Sequence, residues 1–228
     1  MTGLPAQQPE APGPGPAAPA GPAPAARPRV PRGERREQLL DVALELLVHD
    51  GFDALSMEAV ARRAGVNRVV VYRSFPNKGV LLVALLHRER RRTERQLDAL
   101  IPDDPGGRDP RDVLLDGLTG FLDAVAAAPL TWQLALLPPE SAPQALRQDV
   151  DRRRAAIERR IRALVTWGAA RLAIPEGALD LEVLSRMILS HCEEQGRLLL
   201  QDERFDRERL IAGTAGVLAA VAWRPQER

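Results

Sequence analysis

Apolar residues recur at helical spacing along almost the whole chain from residue 32 onward. In residues 34–50, for example, Leu40, Ala43, Leu44 and Leu47 follow one another at intervals of three, one and three residues. This spacing is typical of an amphipathic α-helix. The only β-branched run, residues 69–71, is too short and too closely flanked by helical pattern to require a strand. The pattern therefore predicts an all-α fold.

The same periodicity, bounded by capping residues and by prolines and glycines, predicts nine helices. They cover about residues 34–50, 57–63, 67–74, 79–99, 111–127, 130–137, 142–173, 180–202 and 206–222. A loop rich in proline and glycine separates the fourth helix from the fifth. The fourth helix is long enough to belong to two domains.

The first 31 residues differ from the rest in composition. They contain ten of the 20 prolines, and 22 of these 31 residues are Pro, Ala or Gly. Such a segment cannot bury a core, so we expect a disordered tail that is partly polyproline-like. It lacks the basic start and apolar run of a secretory signal. A proline-rich docking ligand is the alternative, but no aromatic residue or specific motif accompanies it.

Charge is distributed unevenly, although the formal net charge of the chain is only +1. Residues 27–100 hold 15 basic and 10 acidic side chains, whereas residues 101–228 hold 17 basic and 20 acidic ones. No stretch of 18 apolar residues predicts a membrane span. The single cysteine, Cys192, allows no internal disulfide and fits a reducing compartment, so we expect a cytoplasmic protein.

Residues 56–75 have the pattern of a helix-turn-helix. The helix 57–63 is too short to be stable alone, and Ser56 is suited to cap its N-terminus. Gly65 allows the positive φ that a tight reversal needs, and Asn67 is suited to cap the following helix. Two short helices joined by such a turn form the motif that places a recognition helix in the DNA major groove.

The second helix of this motif presents side chains suited to DNA. With Val66, Val71 and Phe75 facing inward, we expect these residues to face outward: Asn67, Arg68, Val70, Tyr72, Arg73 and Ser74. Arg68 suits guanine O6 and N7, and Val70 suits a thymine methyl group. Tyr72, Arg73, Lys78 and the helix N-terminus capped by Ser56 suit phosphates.

A basic arm precedes the first helix and is suited to the minor groove. It consists of Arg27, Arg29, Arg32, Arg35 and Arg36. From geometry alone, however, a glycine turn between two helices is equally compatible with an ordinary all-α protein that does not bind DNA.

Residues 37–80 resemble the N-terminal DNA-binding domain of the TetR family of transcriptional repressors. The resemblance lies in LLDVALELLVHDGFDALSMEAVARRAGV, followed by Arg68, Val71-Tyr72, Arg73, Phe75 and Lys78. It implies that the third helix is the recognition helix and that Tyr72 and Lys78 contact phosphates. Three positions depart from the family pattern: Val69 replaces a small residue or proline, Val70 a hydroxyl residue, and Gly79 an acidic residue. These departures concern which bases are read and how firmly the fourth helix begins.

The resemblance divides the chain into a tail (1–31), a helix-turn-helix domain (32–80) and a helical ligand-sensing and dimerisation domain (81–228). Apolar stripes and small residues on the last two helices indicate a homodimer interface. Its candidate residues are Leu184, Ile188, Gly213 and Val217. The alternative is that these two helices pack only on their own chain.

Bulky or polarisable side chains on the inner helices are candidates for the wall of a ligand pocket. They are Phe121, Trp132, Trp167, Met187 and His191. For each residue alone, plain core packing is the simpler interpretation. The arginines of residues 152–162 fit a solvated helix face, with acid-first pairs Asp149–Arg153 and Glu158–Arg162.

Signs of catalysis are weak. The three histidines lie in separate helices, and the neighbours of His191 point in different directions, so they cannot converge on a metal ion. No nucleophile elbow or glycine-rich phosphate loop occurs, and we expect neither an enzyme nor a cofactor. We expect a repressor that binds a palindromic operator as a homodimer and is released by a small molecule. The alternative is a helical scaffold that has lost DNA binding.

Overall fold

The structure is a computed structural model that describes residues 31–137 and 144–220. These ranges contain nine α-helices and no β-strand, which confirms the all-α prediction. The helices are α1 (Arg32–His49), α2 (Met57–Arg63), α3 (Arg68–Ser74), α4 (Lys78–Leu100), α5 (Pro110–Ala127), α6 (Pro129–Leu136), α7 (Gln144–Arg171), α8 (Leu181–Gln201) and α9 (Arg207–Ala220). The predicted tail, apart from Pro31, lies outside the described residues, as do the predicted start of α7 and end of α9.

Helices α1, α2 and α3 pack with the first half of α4 around one hydrophobic core. The side chains fully buried there include Leu39, Leu40, Leu47, Leu55, Val60, Val71, Phe75, Leu81 and Leu85. Apolar burial of this extent is what stabilises helices as short as α2 and α3. Helix α3 is therefore positioned by packing rather than by its own helix propensity.

A second core surrounds α5, which packs against α4, α6, α8 and α9. Its buried residues include Leu118, Phe121, Leu122, Val125, Trp132 and Leu210. Helix α7 packs on α8. The second half of α4 joins this core through Leu97 and Leu100.

Two helices, α4 and α6, contribute to both cores. Helix α4 spans about 35 Å at 1.5 Å per residue, with Leu81 and Leu85 in the first core and Leu97 and Leu100 in the second. The eight-residue helix α6 places Leu134 in the first core and Trp132 in the second. Any movement of α6 therefore changes the packing of both cores.

A buried carboxylate joins the same two helices. Glu89 on α4 is 4% exposed, and its Oε2 accepts a hydrogen bond of 2.6 Å from Thr131 Oγ1 on α6. Its Oε1 accepts hydrogen bonds from Arg88 Nε at 2.6 Å and from Arg92 Nη1 at 3.3 Å. A buried carboxylate is tolerated only when it is paired and hydrogen-bonded in this way.

Arg88 extends this network to α1. Its Nη1 lies 2.7 Å from Asp41 Oδ1 and 3.2 Å from Glu37 Oε2. Burial alone lowers the pKa of the Arg88 guanidinium, but Glu89, Asp41 and Glu37 together raise it above its ordinary value. The network thus runs from α1 through α4 to α6, between the two cores.

Two helices end in the same hydrogen-bond motif with different residues at its left-handed position. At the end of α2, Gly65 (φ +64°) and Val66 donate to the carbonyls of Arg62 and Ala61. At the end of α7, Ala173 (φ 50°) and Ile174 donate to Ala170 and Ala169. Both are Schellman motifs, in which glycine is favoured because a Cβ disfavours positive φ.

We predict that Thr131→Val lowers the free energy of unfolding by about 1–3 kcal/mol, because it leaves a buried oxygen of Glu89 without its donor. Urea denaturation measures this change. Thr166→Val is the matched control, since Thr166 is exposed and donates only to Arg162 within its own helix. Equal effects of the two substitutions would show that the bond to Glu89 contributes nothing.

We predict opposite effects of exchanging the residues at the two left-handed positions. Gly65→Ala lowers the free energy of unfolding by about 1 kcal/mol because no L side chain favours this φ, and Ala173→Gly raises it by a similar amount. No atom lies within 4 Å of a Cβ built at Gly65, so a steric clash does not contribute. Thermal or urea unfolding of both variants tests the prediction; effects of the same sign contradict it.

Candidate nucleic-acid interface and internal cavity

Side-chain caps and the glycine turn fix α2 and α3. Ser56 Oγ accepts from the backbone N–H of Ala59 at 3.1 Å, and Asn67 Oδ1 accepts from that of Val69 at 2.9 Å. Both predicted caps are confirmed. The turn at Gly65 then directs α3 so that Val71 returns to the first core.

The opposite side of α3 is exposed. Asn67, Arg68, Tyr72 and Arg73 all face solvent there, as predicted. Two neighbouring outward predictions are wrong. Val70 and Ser74 are half-buried, and Ser74 Oγ donates to the Val70 carbonyl at 3.2 Å.

Val69 is the most exposed aliphatic residue of α3, at 55%. It lies two residues before the buried Val71, which places it on the other side of a helix with 3.6 residues per turn. From the sequence, Val70 was expected to face outward because only the inward positions had been assigned. The rotation of the helix about its axis, which decides between Val69 and Val70, was not determined by them. Val69 is therefore better placed than Val70 for an apolar contact.

Arg68 is available at the start of α3. Its Nη1 lies 3.5 Å from Glu58 Oε1 of α2, and both side chains are well exposed. An exposed ion pair of this kind contributes about 0–1 kcal/mol. A stronger polar partner can therefore displace Glu58 at little cost.

Lys78 begins α4 and is tied to the loop after α1. Its Nζ donates to the Phe52 carbonyl at 3.1 Å and lies 4.7 Å from the centre of the Phe52 ring. Asn77 caps the helix by accepting from Val80 N–H at 2.9 Å, which offsets the weak start expected from Gly79. The sequence reasoning missed this cap, although asparagine before a helix is a recognised start signal.

Part of the predicted basic arm, Arg32, Arg35 and Arg36, lies within helix α1. Arg27 and Arg29 lie outside the described residues, and the guanidinium of Arg36 stands 4.7 Å from the centre of the Phe75 ring. Arg35 donates to Gln38 at 2.9 Å. Arg36 therefore braces α1 against the end of α3.

A cavity of about 350 Å³ lies among helices α4 to α8. Two of its walls meet where Phe121 and Trp132 pack edge to face, with ring centres 5.0 Å apart. Trp132 Nε1 donates to Gln96 Oε1 at 3.1 Å, which fixes the indole. Gly196 lets α8 approach closely, since a Cβ there would lie 2.8 Å from Leu136 and 3.0 Å from Phe121.

The structure separates the five predicted pocket residues. Phe121 and Trp132 line the cavity, whereas Trp167 lines a different depression beside the loop of residues 101–105. Met187 and His191 line neither. On α8 the cavity is lined by residues 189, 192 and 193, and positions 187 and 191 lie on the other side of the helix.

Met187 and His191 instead belong to an outer face of α8 and α9. Met187 is 63% exposed, and His191 Nε2 lies 2.9 Å from Thr214 Oγ1, which joins the two helices. Val217 is 62% exposed and Val183 is also exposed. Of the predicted interface residues, Gly213 is exposed as well, and Leu184 and Ile188 are half-buried. This face leaves apolar surface uncovered on two adjacent helices.

Three arginines of α7 line the cavity, although the sequence pattern placed them on a solvated face. They are Arg153, Arg154 and Arg160, and the acidic lining residues are Glu94, Asp98 and Glu193. The predicted Asp149–Arg153 pair forms, at 3.1 Å. The predicted Glu158–Arg162 pair does not: Glu158 pairs instead with Arg186 of α8, at 3.0 Å.

Cys192 also lines the cavity. Burial raises the pKa of its thiol to about 11, so the thiol stays protonated at neutral pH. Because the thiolate is the reactive form, this position is suited to packing rather than to redox chemistry.

In residues 31–137 and 144–220, no three His, Cys, Asp or Glu side chains come close enough together to hold a metal ion. Among the same residues, no single helix has the length and apolar character to cross a membrane. Two bent pairs, α3 with α4 and α5 with α6, reach that length and composition only in combination.

Comparisons with known proteins identify the N-terminal part. Residues 39–85 match the family model described as bacterial regulatory proteins, tetR family. The chain is 47% identical over 60 residues to the HTH-type transcriptional activator FasR of Mycolicibacterium smegmatis, covering 26% of this chain and 27% of FasR. It is 37% identical over 97 residues to the repressor KstR of Rhodococcus jostii, covering 42% of this chain and 43% of KstR. These matches span less than half of either relative.

Solved structures share the fold over a larger part of the chain. A TetR-like transcriptional regulator from Rhodococcus sp. RHA1 superposes with a TM-score of 0.64 at 24% identity, covering 85% of this chain and 100% of that one. AibR, solved in complex with isovaleryl coenzyme A and operator DNA, superposes with a TM-score of 0.62 at 18% identity. The superposition covers 80% of this chain and 97% of AibR. Residues 39–85 therefore form a helix-turn-helix domain of the tetR family of bacterial regulatory proteins, and the described helices together share the fold of these solved structures.

Proposed function

We propose that this protein is a cytoplasmic transcriptional repressor that binds a palindromic operator as a homodimer and leaves it when a small molecule occupies the cavity. The observation that carries the proposal is the exposed face of α3, with Asn67, Arg68, Tyr72 and Arg73 on a helix fixed by caps and a buried core. The family membership of the domain supports DNA as the partner. A polar, cationic helix face of this kind matches the major groove.

Each side chain of this face has a distinct proposed role. Arg68, at the N-terminal end of α3, reads a guanine, and Val69 rather than Val70 provides the main apolar contact with a thymine methyl group. Tyr72 and Arg73 contact phosphates, together with the N-terminus of α2 capped by Ser56. Lys78 Nζ donates one hydrogen bond to the Phe52 carbonyl, and the other two N–H donors of its ammonium group are available to a phosphate.

We propose that a second copy of the chain covers the apolar face of α8 and α9. Met187, Val183 and Val217 supply exposed apolar surface there, and Gly213 allows close approach of helices. A two-fold interface would bring the same residues of both copies together. It would also present two α3 helices to successive major grooves about 34–36 Å apart, which requires a palindromic operator.

The proposed inducer acts through α6 and α4. Trp132 lines the cavity, while Thr131 binds Glu89 and Leu134 packs in the first core. A ligand that moves α6 therefore disturbs contacts to the DNA-binding domain. It releases DNA only if it binds the DNA-incompetent arrangement more tightly. AibR, which has a similar fold, was solved in complex with isovaleryl coenzyme A and operator DNA, and this supports the proposal of a DNA partner and a small-molecule ligand.

We predict that Arg68→Ala and Arg73→Ala weaken DNA binding in different ways. Arg68→Ala costs about 1–3 kcal/mol on the preferred site and leaves binding to random DNA nearly unchanged, because base contacts specify. Arg73→Ala weakens both DNAs and lowers the salt slope by about 1, because one phosphate contact is lost. Titration at several salt concentrations, with DNA flanking the protein's own gene, measures both effects.

Identical behaviour of the two variants would overturn these roles. If the unmodified protein showed no preference for any site over random DNA, the regulator proposal would fail. The alternative of a helical scaffold that has lost DNA binding would then be favoured.

We predict that Met187→Glu converts a dimer into a monomer, because it places an unpaired charge in the proposed apolar interface. The dimer dissociation constant rises at least about tenfold, since 1.4 kcal/mol already corresponds to that factor. Val83→Glu is the matched control: Val83 is also an exposed apolar residue, but it lies on α4. Sedimentation equilibrium distinguishes the variants, and a monomeric unmodified protein contradicts the proposed dimer.

A further inference from the structure

We propose that the cavity binds an amphipathic anion, whose apolar body lies between α5, α6 and α8 and whose negatively charged head group binds Arg153. The inference names the ligand class for the site used in the proposed function, and its regulatory consequence rests on that function. Ligand binding itself does not depend on DNA, so the two can be tested separately.

The apolar part of the cavity sets the body of the ligand. Its wall is formed largely by aliphatic and aromatic side chains, including Leu118, Phe121, Trp132, Leu136, Ile157 and Leu189. A volume of about 350 Å³ is near the lower end of the range of small-molecule pockets, about 300–1,000 Å³. Filling such a site with apolar groups is favourable, whereas a fully polar ligand would lose its hydration without compensation.

Two of the three cavity arginines already have carboxylate partners within the wall. Arg154 Nε donates to Glu193 Oε1 at 2.8 Å, and Arg160 Nη1 donates to Asp98 Oδ1 at 2.6 Å. Arg160 Nη2 also donates to the Ile101 carbonyl at 2.7 Å. These two pairs connect α7 to α8 and to α4, and their charges are compensated.

Arg153 has weaker compensation. Its carboxylate partner, Asp149, lies one turn earlier on α7 and does not line the cavity; Arg153 Nη2 is 3.1 Å from Asp149 Oδ2. Arg153 Nε donates to the Asp149 carbonyl at 3.3 Å, so both polar contacts of this guanidinium among residues 31–137 and 144–220 go to Asp149 and leave part of its five N–H donors unused. The side chain is only 24% exposed. A donor of a largely desolvated cation thus remains available at the cavity wall.

The electrostatic surroundings of Arg153 also favour an added anion. Burial lowers the pKa of its guanidinium below the ordinary value, and Arg90 and Arg152 lower it further, while Asp149 and Glu94 only partly oppose these effects. The other buried cation described above, Arg88, has its pKa raised by its carboxylates. A negative charge beside Arg153 would offset the cost of burying its charge and its repulsion by Arg90.

Arg90 on α4 does not line the cavity, but it carries a buried donor without a partner close to the cavity residue Glu94. Its Nε is buried and has no hydrogen-bond partner within the described ranges, because Glu94 Oε1 lies 3.6 Å away. Buried donors without a partner are uncommon in folded proteins. An anionic head group on Arg153 would lie between α7 and α4, the helix that enters the DNA-binding domain and that lines the same cavity with Thr93 and Glu94.

A cationic amphiphile is the competing ligand, because Glu94 lines the same cavity and is about half exposed. A cation at Glu94 would, however, stand close to two guanidinium groups. The like-charge repulsion disfavours it. We therefore expect the anion to bind, and the experiment below includes a cationic amphiphile for comparison.

The experiment compares decanoate, decanol and decyltrimethylammonium, all below their micellar concentrations, by isothermal titration calorimetry on the full chain without DNA. Decanoyl coenzyme A is a fourth probe. Comparing it with decanoate shows whether the site prefers a carboxylate head group or the phosphates of coenzyme A. The variants are Arg153→Gln, Arg153→Lys, Glu94→Gln and the control Arg152→Gln. Arg152 pairs with the same Asp149, at 3.2 Å, but is exposed and does not line the cavity.

We expect decanoate or decanoyl coenzyme A to bind, and Arg153→Gln to weaken that binding at least about tenfold, as expected for loss of a charged hydrogen bond in a partly buried site. Arg153→Lys retains part of the affinity because it keeps the charge, and Arg152→Gln changes it less than twofold. Decanol binding should not depend on residue 153. Glu94→Gln should not weaken binding of the anion.

Equal anion affinity in Arg153→Gln and the unmodified chain overturns the proposal, as does a failure of both anions to bind. Tighter binding of decyltrimethylammonium that is lost in Glu94→Gln reverses the assigned polarity. Operator binding by unliganded Arg153→Gln should equal that of the unmodified protein, which also shows that the variant is folded. If DNA binding fails in every variant while the anion still binds, the proposed function is wrong and the ligand class stands.

Discussion

The contact on which the architecture depends is the buried Glu89 carboxylate, which binds Thr131 on α6 and Arg88 on α4. Arg88 in turn binds Asp41 on α1. A carboxylate this deeply buried is stable only while all its partners are in place. The orientation of the helix-turn-helix relative to the helices of the second core is therefore set by a few specific polar contacts, in addition to the apolar packing of two cores.

Periodicity and capping were enough to predict the helices, because the apolar stripes and cap residues are local signals. All nine were found within about two residues where the structure describes them, and Ser56 and Asn67 cap as expected. The bonds from Thr131 to Glu89 and from Arg88 to Asp41 could not be predicted, since the bonded residues lie 42 and 47 positions apart in the chain. A helical pattern gives the buried face of each helix but not which helix it meets.

The candidate site shows the same division between local and tertiary information. The exposed positions 68, 72 and 73 followed from the inward positions of α3, whereas Val70 was placed on the wrong side because a seven-residue helix gives little information about its phase. On α7, a run of arginines at helical spacing looked solvated. Only the positions of α4 and α8 showed that three of them line the cavity.

The small size of α6 has a consequence for how the shape of the cavity can change. Its eight residues supply Trp132 to the cavity, Thr131 to Glu89 and Leu134 to the first core, so these positions share one rigid body. A substitution that reshapes the cavity at Trp132 also alters the resting arrangement of the DNA-binding domain. Substitutions on α5 or α7, such as at Leu114 or Ile157, change the cavity wall on helices that supply no residue to the first core. A cavity of new shape, in evolution or in protein engineering, is therefore more readily acquired through substitutions on α5 and α7 than on α6.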